Sequence, residues 1–305
     1  MAGPKPEPFL DRDLRESEEF RKRQRERVLG TYELPPLRRV LLPPKGKREV
    51  HLVVGDSHSH PEESNHRFAA LGNFVAEHAK DIHHVISLGD LADMASLLGI
   101  GKNYGPLFDG RRYWQDVDVA VDALHRIAEP LRGMRKRPKL WCLEGNHEER
   151  IARLLELEPR WRGVVGYPQD FLLGELGFTH VPFLEEIRIG GIAYCHYWKS
   201  PGASPRPVGG EMPSRAALLK YPDGASRVCG HSHRFEHYEL AGTSDHRKIS
   251  SLVAGCFFDT AASSHRWARS DAFRWRSGLL WLEIEDAQIR SWRWIDYLDV
   301  LRKWG

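Results

Sequence analysis

Five short blocks place carboxylate, amide and imidazole side chains at the ends of apolar runs: Asp56-Ser57-His58, Gly89-Asp90 with Asp93, Gly145-Asn146-His147-Glu148, His196, and Gly230-His231-Ser232-His233. Oxygen and imidazole nitrogen without thiolate form a ligand set suited to Mn²⁺, Fe or Zn²⁺. The alternative is that each is structural, since a lone histidine at a strand end more often holds a hydrogen bond than a metal. That reading suffices for His51, His66, His78, His83, His84, His125, His180, His246 and His265, which stand outside the blocks. It becomes costly for the blocks taken together. Burying Asp56, Asp90 and five imidazoles in one place would cost on the order of several kcal/mol in desolvation and carboxylate repulsion. Cations remove that cost.

The elements that must position these side chains follow from the apolar spacing. EVHLVVGD (from Glu49) and HHVISL (His83–Leu88) read as buried strands, as does PKLWCL (Pro138–Leu143), each ending in one of the blocks. Helical spacing over Glu63–Lys80, Asp116–Arg132 and Ile151–Leu157 alternates with them, which predicts an α/β fold with a largely parallel first sheet. Ligands at strand C-termini suit such a sheet, because the loops beyond those ends form its site. Further strands are expected at Glu185–Ile189, Ile192–His196, SRVCGH, Phe235–Leu240, Lys248–Ala254, Leu279–Glu285 and Gln288–Trp294. Trp281, Trp292 and Trp294 are expected to pair across the last hairpin.

The chain has 305 residues, 41% of them apolar and 29% charged, with a net charge of +3. These values exclude collagenous and wholly disordered chains, and no apolar run approaches the ~20 residues of a membrane span. No stretch of the N-terminus resembles a signal peptide, so a soluble cytoplasmic protein with no membrane partner is expected. Cys142, Cys195, Cys229 and Cys256 are scattered in apolar runs and read as reduced, buried thiols. Residues 1–48 carry 13 Lys and Arg against 8 Asp and Glu, whereas the remainder carries 32 against 34. Asp11–Leu29 has helical character but few apolar positions, and PPLRRVLLPPKGK breaks any helix. The expected organisation is therefore a charged, mostly helical arm and linker at 1–48, followed by one catalytic domain at 49–305.

Taken in order, D-x-H, G-D-x-x-D, G-N-H-E, a strand-end His and G-H-x-H resemble the blocks of the calcineurin-like metallophosphoesterase family, over residues 49–233. GDLADMASL, GRRYWQD and GNHEERI are similar to the branch frequent in tailed-phage genomes, which implies a phage-encoded protein acting in the host cytoplasm. The resemblance implies a four-layer α/β/β/α sandwich and two metal ions, Mn, Fe or Zn. Asp56, His58, Asp90 and His233 would hold the first ion; Asp90, Asn146, His196 and His231 would hold the second, with Asp90 bridging. Two such cations lower the pKa of a water and clamp phosphoryl oxygens. The resemblance also makes His147 the general acid for the leaving oxygen, oriented by Asp93. Asp93 as a helix N-cap is the structural alternative.

Arg111, Arg112, Arg150 and Arg234 are candidate phosphate contacts, although Arg150 can equally pair with a Glu of its own helix. His60 and His237, beside the blocks, are candidate substrate contacts. Met94 and Glu144 stand where the family's protein phosphatases carry arginines, which disfavours that activity. Residues 264–276 interleave Arg266, Arg269, Arg274 and Arg276 with Trp267, Phe273 and Trp275, a pattern suited to a single strand of nucleic acid or, alternatively, to packing under a loop. The loops at 99–115 and 197–213 are expected to wall the site. The expected function is metal-dependent hydrolysis of a phosphodiester, DNA or RNA. Phosphomonoester hydrolysis of nucleotides or other small phosphates is the alternative. A binding protein without turnover is disfavoured because no ligand or acid position is missing.

Overall fold

The computed structural model describes residues 9–28, 46–98, 110–200, 207–208, 211–221, 223–241, 248–262 and 272–305. Strand β1 (Arg48–Val54) leads into helix α2 (His66–Glu77), after the N-terminal helix α1 (Phe9–Val28). Then follow β2 (His84–Ser87), α3 (Tyr113–Ala128), β3 (Lys139–Leu143), α4 (Glu149–Leu157) and β4 (Phe178–Val181). The second half holds β5 (Ile187–Ile189), β6 (Ile192–Tyr194), α5 (Pro213–Lys220), β7 (Arg227–Cys229), β8 (Phe235–Ala241) and β9 (Lys248–Ala254). It closes with β10 (Gly278–Glu285), β11 (Gln288–Asp296) and α6 (Tyr297–Trp304).

These strands form two mixed sheets, β11-β10-β1-β2-β3-β4 and β5-β6-β7-β9-β8. In the first, β1 to β4 run parallel in order, while β10 returns antiparallel along β1 and β11 antiparallel along β10. Strand alternation divides the apolar residues between cores. Leu52 and Val54 of β1 pack with Phe68 and Leu71 of α2 and Val117, Val121 and Leu124 of α3. Val53 between them faces the other way, into a second core with Ile86, Leu143, Tyr194, Val228 and Leu252. A third core lies beneath α5, where Ala217 meets Ala193, Cys195 and Val253. Helices, sheet, sheet and helix succeed one another, which is compatible with the sandwich expected. No helix among the described residues is long and apolar enough to cross a membrane.

Two elements lay outside the sequence expectation. β4 is a four-residue edge strand, too short for a periodicity signal. α6 follows β11 without a loop, capped by the Asp296 carboxylate on the Leu298 N–H, and reaches back to α2 through Trp304 Nε1 on Glu77. The tryptophans of the last hairpin do not pair with one another. Trp281 lies opposite Arg293, whose guanidinium stacks on it at 4.1 Å, and faces the helices. Trp292 and Trp294 point the other way, onto Phe235 of the second sheet, because residues one apart in register occupy opposite faces. All four cysteines are free and buried.

Helix α1 docks on the body largely by charge. Arg21 donates to Asp170 at 2.6 Å and to the carbonyls of Gly163 and Val164, Arg25 pairs with Glu175, and Phe20 stacks on Trp114. The sparse apolar positions of the arm are thus offset by directed polar contacts.

Candidate metal centre

Each proposed ligand sits within a few residues of a strand's C-terminal end: Asp56 and His58 after β1, Asp90 after β2, Asn146 after β3, His196 after β6, His231 and His233 after β7. The first sheet supplies four of the seven and the second supplies three. Four of them, His58, Asp90, His231 and His233, have φ between 42° and 72°. Each such backbone is strained by about 1–3 kcal/mol unless the surroundings enforce it. Glycines make the approach possible: a Cβ at Gly145 would overlap the Asp90 backbone N and Oδ1, and one at Gly230 would overlap Asp56 Oδ1. The loops are cross-bonded as well. Ser57 and His58 N–H donate to the Asp90 carbonyl at 3.1 and 2.9 Å, and the His231 N–H donates to Asp56 Oδ1 at 2.9 Å.

The donor atoms converge as two groups. In one, His233 Nε2 lies 3.0 Å from Asp56 Oδ2 and 3.1 Å from His58 Nε2. Asp56 Oδ2 is buried and accepts no hydrogen bond of good geometry. In the other, Asn146 Oδ1 lies 2.9 Å from His196 Nε2 and 2.8 Å from His231 Nδ1, and Asp90 Oδ2 lies 3.5 Å from His196 Nε2. The tautomer of His196 is fixed, because its Nδ1 faces the Leu88 carbonyl at 2.8 Å and must carry the proton there. Its Nε2 is thereby turned toward two oxygen atoms, Asn146 Oδ1 and Asp90 Oδ2. Burial pushes His231 down to about 4 and His58 below its ordinary range, so both rings are neutral, the form that binds metals. Buried lone pairs facing one another call for a cation, and the residues present fit the two ions expected.

A third His/Glu group, Glu49, His51 and His84, has similar spacing but different chemistry. Trp141 Nε1, a donor only, gives its proton to His84 Nδ1 at 3.0 Å, which leaves the His84 proton on Nε2, 3.9 Å from Glu49 Oε2. His51 meets the Tyr194 hydroxyl at 2.6 Å through Nδ1 and presents Nε2 to Glu49 at 3.5 Å. This is a carboxylate beside two imidazoles within the first sheet, and the His51–Tyr194 bond tethers it to β6 of the second. Burial pushes His84 down to about 3 and His51 below its usual range.

His147 stands beside both metal groups. Its Nδ1 lies 2.7 Å from the Asp93 carbonyl and 3.2 Å from Asp93 Oδ1, and its Nε2 is 3.8 Å from Asp90 Oδ2. Burial alone would lower the pKa of this imidazole, but Asp90 and Asp93 outweigh burial and raise it. Asp93 Oδ1 also lies 3.3 Å from His58 Nδ1, so one carboxylate orients two rings. It is not an N-cap: the 3-10 turn Ala95–Leu97 has Met94 at its cap, and the Ser96 N–H goes to Asp116 at 2.9 Å.

The remaining predicted contacts are dispersed. Arg150 Nη1 donates to the carbonyls of Asp93 and Met94 at 2.8 and 3.3 Å, so it braces that turn and does not pair along its helix. Arg111 donates to the Ala95 carbonyl and, with Arg112, Tyr113 and Trp161, lines a cavity of about 490 Å³. Arg234 follows His233 at the entry to β8, and its carbonyl accepts the Gly255 N–H. His60 Nδ1 accepts the Glu62 N–H in a local turn, and His237 packs edge-on against Trp292. Of the interleaved stretch, Trp275 packs on the candidate ligand His233 at 4.6 Å, Arg276 stacks on Phe235 and Trp294, and Phe273 is 76% exposed. Arg266, Trp267 and Arg269 lie outside the described residues, as do 99–109, 201–206 and 209–210 of the two wall loops.

Sequence reasoning missed Glu148, Arg67 and Tyr197. Buried Arg67 donates to the carbonyls of Ser57 and His58 at 3.0 and 3.1 Å, fixing the first ligand loop from below. The Tyr197 ring lies 4.7 Å from that of His231. Glu148 accepts three backbone N–H groups. Its tetrad position was visible in the sequence, whereas its partners, being backbone, left no signal there. No family model and no curated protein matches the chain.

Proposed function

We propose that the chain is a dinuclear metallophosphoesterase that hydrolyses phosphodiesters, with nucleic acid as its substrate. The observation that carries this reading is the convergence of His196 Nε2, His231 Nδ1, Asn146 Oδ1 and Asp90 Oδ2 in one group, beside a second group of Asp56, His58 and His233. Asp56, His58, Asp90 and His233 would hold one cation, and Asp90, Asn146, His196 and His231 the other. Bound there, the cations would acidify a water and offset charge on phosphoryl oxygens. The protein's own part is proton delivery. His147 keeps its Nδ1 proton on Asp93, has its pKa raised by Asp90 and Asp93 against burial, and leaves Nε2 to protonate a leaving oxygen.

Among the described residues no arginine fork of the protein-phosphatase kind supports the centre. Met94 is fully buried, and the Glu144 carboxylate turns away to His180 and the Phe183 N–H. Exposed Phe273, with the Arg274 guanidinium 5.5 Å from its ring, favours a substrate bearing bases. Protein loaded with Mn²⁺ is to be assayed against single- and double-stranded DNA and RNA, nucleotides, and chromogenic mono- and diesters. Nucleic-acid cleavage that chelator abolishes is the expected result. Cleavage of monoesters alone would replace the diesterase reading with a phosphomonoesterase, and chelator-insensitive turnover would remove the centre altogether.

A further inference from the structure

One carboxylate of the centre belongs to neither ligand group. Glu148 is fully buried directly after His147. Its Oε2 accepts the N–H groups of Asp90 and Gly145 at 3.0 and 2.9 Å, and its Oε1 accepts that of Ala92 at 2.9 Å. These donors lie on two loops, one leaving β2 and the other leaving β3. The bond is returned: Asp90 Oδ1 accepts the His147 N–H at 2.9 Å. Each loop's acid therefore holds the other loop's backbone. The Gly145 backbone lies so close to Asp90 that no side-chain carbon fits between them, so the gap between the loops is set by these bonds.

From this geometry we infer that Glu148 is a positioning residue that fixes Asp90 against Asn146, and through them the capacity of the Asp90–Asn146–His196–His231 group to hold a cation. The assignment rests on the metal-centre reading above. The other group has separate supports, Arg67 on the Ser57 and His58 carbonyls and the His231 N–H on Asp56. Loss of Glu148 therefore weakens the Asn146-containing position most, since the other position shares only Asp90 with it and keeps these supports. The length of the side chain matters, since aspartate is shorter by one methylene, roughly 1.5 Å, and cannot reach both loops.

The test is calorimetric titration of metal-free wild type, Glu148→Ala, Glu148→Asp and Glu148→Gln with Mn²⁺, alongside metal content per chain and thermal midpoints. Wild type is expected to take up two ions. Glu148→Ala and Glu148→Asp should lose about 10–100-fold in one affinity and clearly less in the other, which depends on Glu148 only through Asp90. Glu148→Gln, whose single carbonyl oxygen retains two of the three N–H bonds, should fall between. Two ions held by Glu148→Ala with affinities within twofold of wild type overturn the assignment alone. If Glu148→Ala does not fold, the isosteric Glu148→Gln decides, and unchanged binding there has the same force. A wild-type chain that takes no Mn²⁺ overturns the metal-centre reading and this assignment with it.

Discussion

Asp90 touches every part of the centre: its side chain faces His196 and His147, its N–H rests on Glu148, and its carbonyl holds the backbone of Ser57 and His58. Burial would raise its pKa, but the His147 imidazole foremost, with the His147 N–H bonded to its carboxylate, outweighs burial and lowers it. Asp90→Ala should therefore abolish metal retention and lower turnover about 10³-fold or more, as read by metal content and initial rates on a diester. His147→Ala separates the acid from the ligands. It should lower kcat about 10²–10⁴-fold while both ions stay bound. Unchanged kcat would exclude the acid role, and lost metal would make His147 a ligand. The cluster of the seven proposed ligands was legible in outline because polar residues ending apolar strands contradict their surroundings, and the family resemblance supplied their pairing. Glu148 and Arg67 were not, since a side chain serving backbone groups has no partner residue to betray it.

At the scale of elements, glycine placement is the sharpest constraint. Gly145→Ala, which thrusts a carbon into Asp90, should destabilise by about 1–3 kcal/mol or more. Gly174→Ala, with nothing within 4 Å, should stay within about 0.5 kcal/mol in urea unfolding. The Glu49–His51–His84 tether, flanked by His83 and Lys139, adds a pH dependence. His84 titrates near 3 when folded and near 6.5 when free, so between those values the unfolded chain binds more protons. Stability from this group is complete above pH ~6.5 and lost as pH falls toward 3. His84→Asn keeps an acceptor for Trp141 without titrating, and should flatten the decline in urea midpoint between pH 6.5 and 4; an unchanged slope would exclude His84 as its source. The strands bearing ligands were readable from their apolar runs. β4 and α6 were not, because one is four residues long and the other grows straight out of a strand, so that neither breaks the local pattern.

For the molecule as a whole, the charge surplus of residues 1–48 marked an appendage but not where it rests. Docking depends on Asp170, a buried acid that also receives the Tyr113 hydroxyl at 2.6 Å and the Gly166 N–H at 2.7 Å. Such geometry joins residues some 150 apart in the chain, and no local spacing encodes it. Arg21→Ala leaves two of those donors in place and should cost about 1–2 kcal/mol, with hydrolysis of a small chromogenic diester within twofold of wild type. A large loss of turnover would instead tie α1 to the centre. The division of ligands between the sheets has a mechanical consequence. Asp56, His58, Asp90 and Asn146 leave one layer and His196, His231 and His233 the other, so an ion seated among them would act as a clasp on that end of the seam. Withdrawing it should speed deuterium uptake first at the open end of β6 and β7, while amides beside the Glu49 tether, at the opposite end, keep their protection.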